Sequence, residues 1–292
     1  MSLGRVLLAA AVSVAALTVA REASAFCRTT TCNDATESCE KNERGCVRDG
    51  VTVVWKELPI IYRFSAEGSE KLSNRKVRAA VTAAFSTWES VKCPNGRTTS
   101  VRFELGPDIK VNKPLGRKQA KDNNGIYFRD ETWPYKNAVD SLALTNQIYG
   151  EERGIIEYAD IEINTAETSF SLSDDDTDAI DFQSVMIHEV GHYLGLAHSN
   201  DPESIMVPSY CEASNRCDKG VIGKRELSDD DIEGVCGIYP PGKGDPDENT
   251  VAPSPTGCTQ SPSRGSDLAA GLALVFVASA VVRRRLRTSR PQ

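Results

Sequence analysis

The sequence predicts an α+β domain built on a mixed sheet. Short β-rich runs are scattered along the chain, without the regular strand-helix alternation of a parallel fold. One long apolar stripe at helical spacing lies among them, and two further helical segments come late.

Val51–Trp55 and Ile60–Phe64 are rich in β-branched and aromatic residues and read as strands. Ser73 is a good N-cap, so a helix should follow it. Val77, Val81, Ala84, Phe85, Trp88 and Val91 recur at helical spacing and form its buried stripe. Val101–Leu105 alternates as a strand; Gly125–Phe128, Ser141–Thr145 and Tyr158–Asn164 read as three more. Phe182–Leu196 is the next helix. Ser228 caps the last one, whose first turn carries Asp229, Asp230 and Asp231, the charge that a helix N-terminus favours. Residues 50–242 have the length of one domain with a real core, and they contain no internal repeat.

The flanking segments have other characters. Residues 1–25 have the form of an export signal: Arg5, an apolar run from Val6 to Ala20, and an Ala23-Ser24-Ala25 cleavage box. The mature chain would begin near Phe26. Residues 26–49 are polar and cysteine-dense, and disulfides are expected to staple them. Residues 243–267 are a flexible spacer rich in Pro, Gly, Ser and Asp, and they include Gly257-Cys258. In residues 268–292, an apolar run from Leu268 to Val282 precedes Arg283-Arg284-Arg285-Leu286-Arg287. At about 1.5 Å per residue that run covers only about 22 Å, short for a bilayer span. The basic end would stay cytoplasmic.

The chain has nine cysteines. Setting Cys258 aside leaves Cys27, Cys32, Cys39, Cys46, Cys93, Cys211, Cys217 and Cys236, an even set that suggests disulfides in an oxidising compartment. Local pairing among the first four is favoured, with another bridge involving Cys211, Cys217 or Cys236. The net charge of −7 and the lack of a basic stripe or a Gly-rich phosphate loop argue against a nucleic-acid partner.

All three histidines of the chain fall in one motif. His188, Glu189, His192, Gly195 and His198 spell H-E-x-x-H-x-x-G-x-x-H. A helix turns by about 100° per residue, so His188 and His192 share a face one turn apart and can grip one zinc ion. Gly195 permits positive φ, ends the helix and lets the chain return with His198 as a third ligand. Three protein ligands leave the fourth zinc position open, which marks catalytic rather than structural zinc. Glu189 stands beside the first ligand, where a carboxylate can act on water.

Downstream, His198-Ser199 leads to Ser204-Ile205-Met206-Val207-Pro208-Ser209-Tyr210. With the histidine motif, this resembles the metzincin peptidases, whose Met-turn runs beneath the metal. Serine after the third histidine and methionine eight residues beyond it resemble the matrixin branch. Pro208 stands where some other branches carry a ligating tyrosine. Val54-Trp55-Lys56 through Leu58–Phe64 is similar to the family's first strand, and Leu227–Val235 to its last helix.

The resemblance implies a zinc endopeptidase acting on protein or peptide substrates, and a monomer is expected. Glu189 would be the general base, and Met206 would support the site without ligating. Ser141–Thr145 would form the upper rim of the cleft, and Pro208–Leu227 would wall it. Vertebrate matrixins hold a second, structural zinc through extra histidines; the matching positions here are Leu144 and Glu162, so one Zn2+ is expected. Asn164 and Glu167 sit where similar enzymes place calcium ligands, which makes Ca2+ a candidate second ion. The Asp174–Asp178 run is either another calcium candidate or a solvated acidic loop. Arg44-Gly45-Cys46-Val47-Arg48-Asp49 faintly resembles an inhibitory cysteine switch with its order changed, while the even cysteine count argues that Cys46 is paired. The C-terminal segment resembles the sorting tails of myxobacterial surface proteins, which implies processing at Cys258 by sorting machinery in the membrane. An ordinary single-span anchor is the other reading of that tail. Both place the domain outside the cytoplasm, at the cell surface or released. The competing functional class is a binding or adhesion module that keeps the fold without turnover; an intact Glu189 argues against it.

Overall fold

The computed structural model describes residues 26–33, 37–111, 123–173, 179–209 and 224–242. The export signal, the Asp174–Asp178 run, Cys211, Cys217, Cys258 and the tail lie outside the described residues.

The elements run β1 (Ile60–Phe64), α1 (Asn74–Glu89), β2 (Phe103–Leu105), β3 (Gly125–Phe128), β4 (Ala143–Tyr149), β5 (Ile156–Ile163), β6 (Phe170–Ser171), β7 (Ile180–Asp181), α2 (Phe182–Tyr193) and α3 (Asp229–Ile238). Five strands form one sheet in the order β2-β1-β3-β5-β4, and β6 and β7 form a two-residue parallel ladder. All neighbours in the main sheet are parallel except β4, which runs antiparallel to β5 and stands at the edge. The α+β class and mixed sheet are therefore as the sequence implies. Among the described residues no helix is long and apolar enough to cross a membrane.

The buried face of α1 carries Val77, Val81, Ala84, Phe85 and Trp88, the stripe read from the sequence; Val91 is buried too, just beyond the helix. Phe85 stacks on Tyr62 of β1 with ring centroids 3.9 Å apart. The Trp88 indole N–H donates to Ile187 O at 2.8 Å, which fixes α1 against α2. Ser73 holds the N-cap position with extended backbone, but its side chain makes no capping bond.

Several expected bounds are corrected. Val51–Trp55 is not a strand of the sheet. Thr52 bridges to Thr30 and Val54 to Ile155, one rung on each side. The Trp55 N–H then leaves any ladder for the Tyr239 hydroxyl at 3.0 Å, so pairing stops. The expected strand Val101–Leu105 shortens to Phe103–Leu105. Ser141–Thr145 becomes Ala143–Tyr149, because β5 offers partners from Ile156 to Ile163. Helix α2 ends at Tyr193 rather than Leu196, and the chain has already turned at Gly195, where φ is +98°.

Three disulfides are formed among the described residues: Cys27–Cys46, Cys32–Cys39 and Cys93–Cys236. The first four cysteines thus pair locally, in nested fashion, and Cys236 makes the long bridge from α3 to the chain just beyond α1. Cys46 is bonded and offers no thiol for a cysteine switch.

Two buried acids, Asp160 and Glu162, mark strand β5. Asp160 on β5 is 2% exposed, and its carboxylate accepts from the Gly125 N–H at 2.7 Å. Burial pushes its pKa from the ordinary 3.8 up to about 6, with nearby Glu162 acting in the same direction. A carboxyl raised in this way contributes stability below its unfolded pKa and loses it as pH rises through about 6. Asp160→Asn keeps the acceptor for Gly125 without a charge to bury. Its melting temperature should exceed the wild type's at pH 8, and the advantage should vanish near pH 4; thermal unfolding across that range checks it.

Candidate metal centre

Helix α2 begins at Asp181, whose carboxylate accepts from Ser184 N at 2.6 Å and pairs with Arg225. Phe182, Val185, Met186, Val190 and Tyr193 are buried, while half-buried His188 and His192 border the cleft.

The helix stops inside the protein, so its last carbonyls need donors. Val190 O and Gly191 O accept from Leu194 N, and Gly191 O also accepts from Leu196 N. His192 O takes Gly195 N at 2.8 Å and the Gln147 side-chain amide at 2.7 Å. Tyr193 O takes the Trp55 indole at 2.7 Å, and Leu194 O takes the Tyr239 hydroxyl at 2.8 Å. Gly195 is doubly required: its φ is +98°, and a Cβ there would lie 2.3 Å from Val53 O. Gly191 opens space of another kind, since a Cβ there would lie 2.3 Å from Met206 Sδ.

The turn after Gly195 brings His198 to the two helical histidines. The ring centroids are 4.7, 5.3 and 4.7 Å apart for the pairs His188–His192, His188–His198 and His192–His198. One nitrogen from each ring lies within 4.8 Å of the others, so the group can hold one metal ion. His188 Nδ1 faces Ile205 O at 2.7 Å and His192 Nδ1 faces Leu196 O at 2.9 Å. Carbonyl partners fix the proton on Nδ1 and leave Nε2 as the donor atom toward a metal. Burial holds His188 down to about 4 and His192 to about 3, and His198 is lowered by the same cause. Neutral imidazoles are what a metal requires. Tetrahedral zinc takes three such nitrogens, so the donor set fits that ion.

Glu189 is buried beside them, and burial raises its pKa against the opposing pull of His192 and Thr145. The Thr145 hydroxyl reaches Glu189 Oε2 at 2.6 Å and Glu189 O at 3.0 Å. Sequence reading put Thr145 on a rim strand and missed this contact, as it missed Gln147. Thr145 and Gln147 are two apart on β4, hence on one face; docking that face on α2 would have exposed both. Asp231 was also missed in this role. It closes a capping box with Ser228 and also accepts from Ile205 N at 2.9 Å and from the Ser204 hydroxyl. The Met-turn carbonyl that orients His188 is thereby tied to α3. Met206 itself is 2% exposed, and its backbone carbonyl accepts from Ser199 N at 2.8 Å.

A cleft of about 950 Å³ lies over these groups, bordered by β4 from Ala143 to Thr145 and by Val207 to Ser209 opposite. The expected wall from Pro208 to Leu227 is described only at its two ends. Leu144 and Glu162 face each other in the β4–β5 register. The Glu162 side chain is wholly buried, and it pairs with Arg129, accepts from the Tyr135 hydroxyl, and takes Asn146 Nδ2 at 2.9 Å. Its oxygens are thus engaged by the protein. Asn164 and Glu167 are close together, with Asn164 Oδ1 accepting from Glu167 N at 3.2 Å and Nδ2 donating to Ser141 O at 3.0 Å.

The sheet, the two packed helices and the histidine site together make this a metzincin-like catalytic domain. A family model described as Matrixin matches residues 54–240, and the chain belongs to the matrixin family. It is similar to Matrix metalloproteinase-C of Caenorhabditis elegans, 26% identical over 196 residues that cover 65% of this chain and 29% of that protein. It is similar to Matrix metalloproteinase-16 of Homo sapiens, 29% identical over 192 residues, covering 64% of this chain and 27% of that one. Metalloendoproteinase 1-MMP of Arabidopsis thaliana is 28% identical over 195 residues, 64% of this chain and 44% of the relative. The match spans less than half the length of each of these relatives.

Gly195→Ala should be destabilised by about 1–3 kcal/mol, from the left-handed backbone and the clash with Val53 O; urea unfolding of variant and wild type measures it.

Proposed function

We propose that this chain is a zinc-dependent endopeptidase, exported from the cytoplasm, that hydrolyses peptide bonds in protein or peptide substrates. One observation carries the reading: three converging neutral imidazoles and a buried carboxylate lie on the floor of a cleft whose rim is an edge strand. His188, His192 and His198 would hold the ion, with Met206 packed beneath. Zinc held there supplies Lewis acidity, polarising the scissile carbonyl and acidifying water. Glu189 takes the proton from water and passes it to the leaving amine. Thr145 holds one oxygen of that carboxylate, which leaves the other for water. The outer edge of β4 offers backbone donors and acceptors to an extended substrate.

Export is supported by the three disulfides, which form in oxidising compartments. The signal in residues 1–25 and processing at Cys258 belong to the same proposal and rest on sequence pattern alone. Calcium is its finer part: Asn164 and Glu167 border a cavity of about 430 Å³.

Two outcomes are expected. Glu189→Ala should lower kcat/KM for casein or a peptide library by about 10²–10⁴-fold while zinc content stays at one per chain. Cleavage at the wild-type rate by that variant would refute the base assignment, and a zinc-loaded wild type that cuts nothing would favour the binding-module reading. For calcium, EGTA should lower the melting temperature and added Ca2+ should restore it; Asn164→Ala should abolish that response.

A further inference from the structure

His198 is the one histidine of the three that no helix carries. Its position is set by whatever holds the bend before it and the chain after it. Gly195 O accepts from Thr29 N at 2.8 Å. Leu196 O accepts from the Thr29 hydroxyl at 3.3 Å, and Arg28 and Leu196 form an antiparallel bridge. Ala197 N donates to Cys27 O at 2.9 Å. Three consecutive residues ahead of His198 are thus bonded to the segment Phe26–Thr30. Beyond His198, the Asn200 side-chain amide donates to Arg44 O, in the same cysteine-rich region.

That segment is itself anchored. Thr29 O accepts from Val53 N at 2.9 Å, and Thr30 bridges to Thr52. Phe26 lies so close to α3 that a Cβ on Gly234 or Gly237 would come within 3.2 Å of its ring. Cys27 and Cys46, each 7% exposed, are joined, which links the strand touching Ala197 to the loop touching Asn200.

We propose that the N-terminal extension is a clamp on the third ligand: Phe26–Thr30, closed by Cys27–Cys46, positions His198 and slows loss of the metal. The extension is then a permanent part of the metal centre, and opening the clip weakens the site instead of releasing it from inhibition. Cys27, Thr29 and Cys46 are positioning residues that act on the ion through His198, and Thr29 also borders the cleft. The inference rests on the zinc assignment made above.

The test compares the full-length wild type, Cys27→Ala/Cys46→Ala and the control Cys32→Ala/Cys39→Ala, all loaded with zinc. Zinc transfer to a chromophoric chelator is followed with time, and far-UV circular dichroism verifies the fold. Opening Cys27–Cys46 should speed zinc loss about 10–100-fold, the range seen when groups supporting metal ligands are removed. The control should match the wild type. Peptidase activity of the opened variant should recover in excess zinc, with KM unchanged. Thr29→Pro, which deletes the N–H to Gly195 O, tests the clamp without touching a disulfide and should also speed zinc loss. It decides the matter if the double variant does not fold. Wild-type exchange rates in whichever of these variants fold overturn the clamp. A wild type that takes up no zinc at the histidines overturns the zinc assignment instead, so the two failures are distinct.

Discussion

Helix α2 ends in the protein interior, where water cannot solvate its final carbonyls. Each unmet carbonyl there would cost about 1–3 kcal/mol. Backbone turns meet some of the need, and Gln147, Trp55 and Tyr239 meet the rest from three separate parts of the chain. Trp88 secures the helix one turn earlier. The edge strand, the segment before β1 and the end of α3 are therefore all oriented by one requirement. That requirement also fixes the direction in which His188 and His192 look.

A second polar system completes the floor. Asp231 binds its own helix start and the Met-turn together, and the Met-turn returns a carbonyl to His188. The imidazoles are consequently held by backbone oxygens on Nδ1 in a partly dry environment that disfavours their charged form. Protons are thereby discouraged from the nitrogens a cation would use. The same dryness raises the proton affinity of the Glu189 carboxylate, in the direction that the proposed role of general base requires.

Much of this was legible in the chain. The α1 stripe was read residue by residue because a 3.6-residue period survives in sequence. The Gly125–Phe128 strand matched at both ends because Asn124 and Gly125 mark where extended structure begins. The histidine motif carries its own geometry, since i, i+4 spacing on a helix and a glycine stop are local facts. What stayed hidden depends on contacts between distant elements. Val51–Trp55 has strand composition, yet composition reports burial in an extended form and says nothing about whether a ladder continues on either side. The β4 strand ran four residues past Thr145 because its partner did. Thr145 read as a rim-strand residue, Gln147 fell beyond the expected strand and Asp231 read as first-turn helix charge; only docking against α2 and the Met-turn gave them work. For the cysteines, counting gave the class of pairing but could not pick Cys27 with Cys46.

The Cys93–Cys236 bridge joins residues 143 apart in sequence and encloses β2 to β7, α2 and most of α3. A backbone cut anywhere in that stretch opens a closed loop and severs nothing from the body. The activity proposed for this fold would expose each copy to such cuts by its neighbours. Nicked once between those two sulfurs, the domain stays a single covalent particle until a reductant arrives.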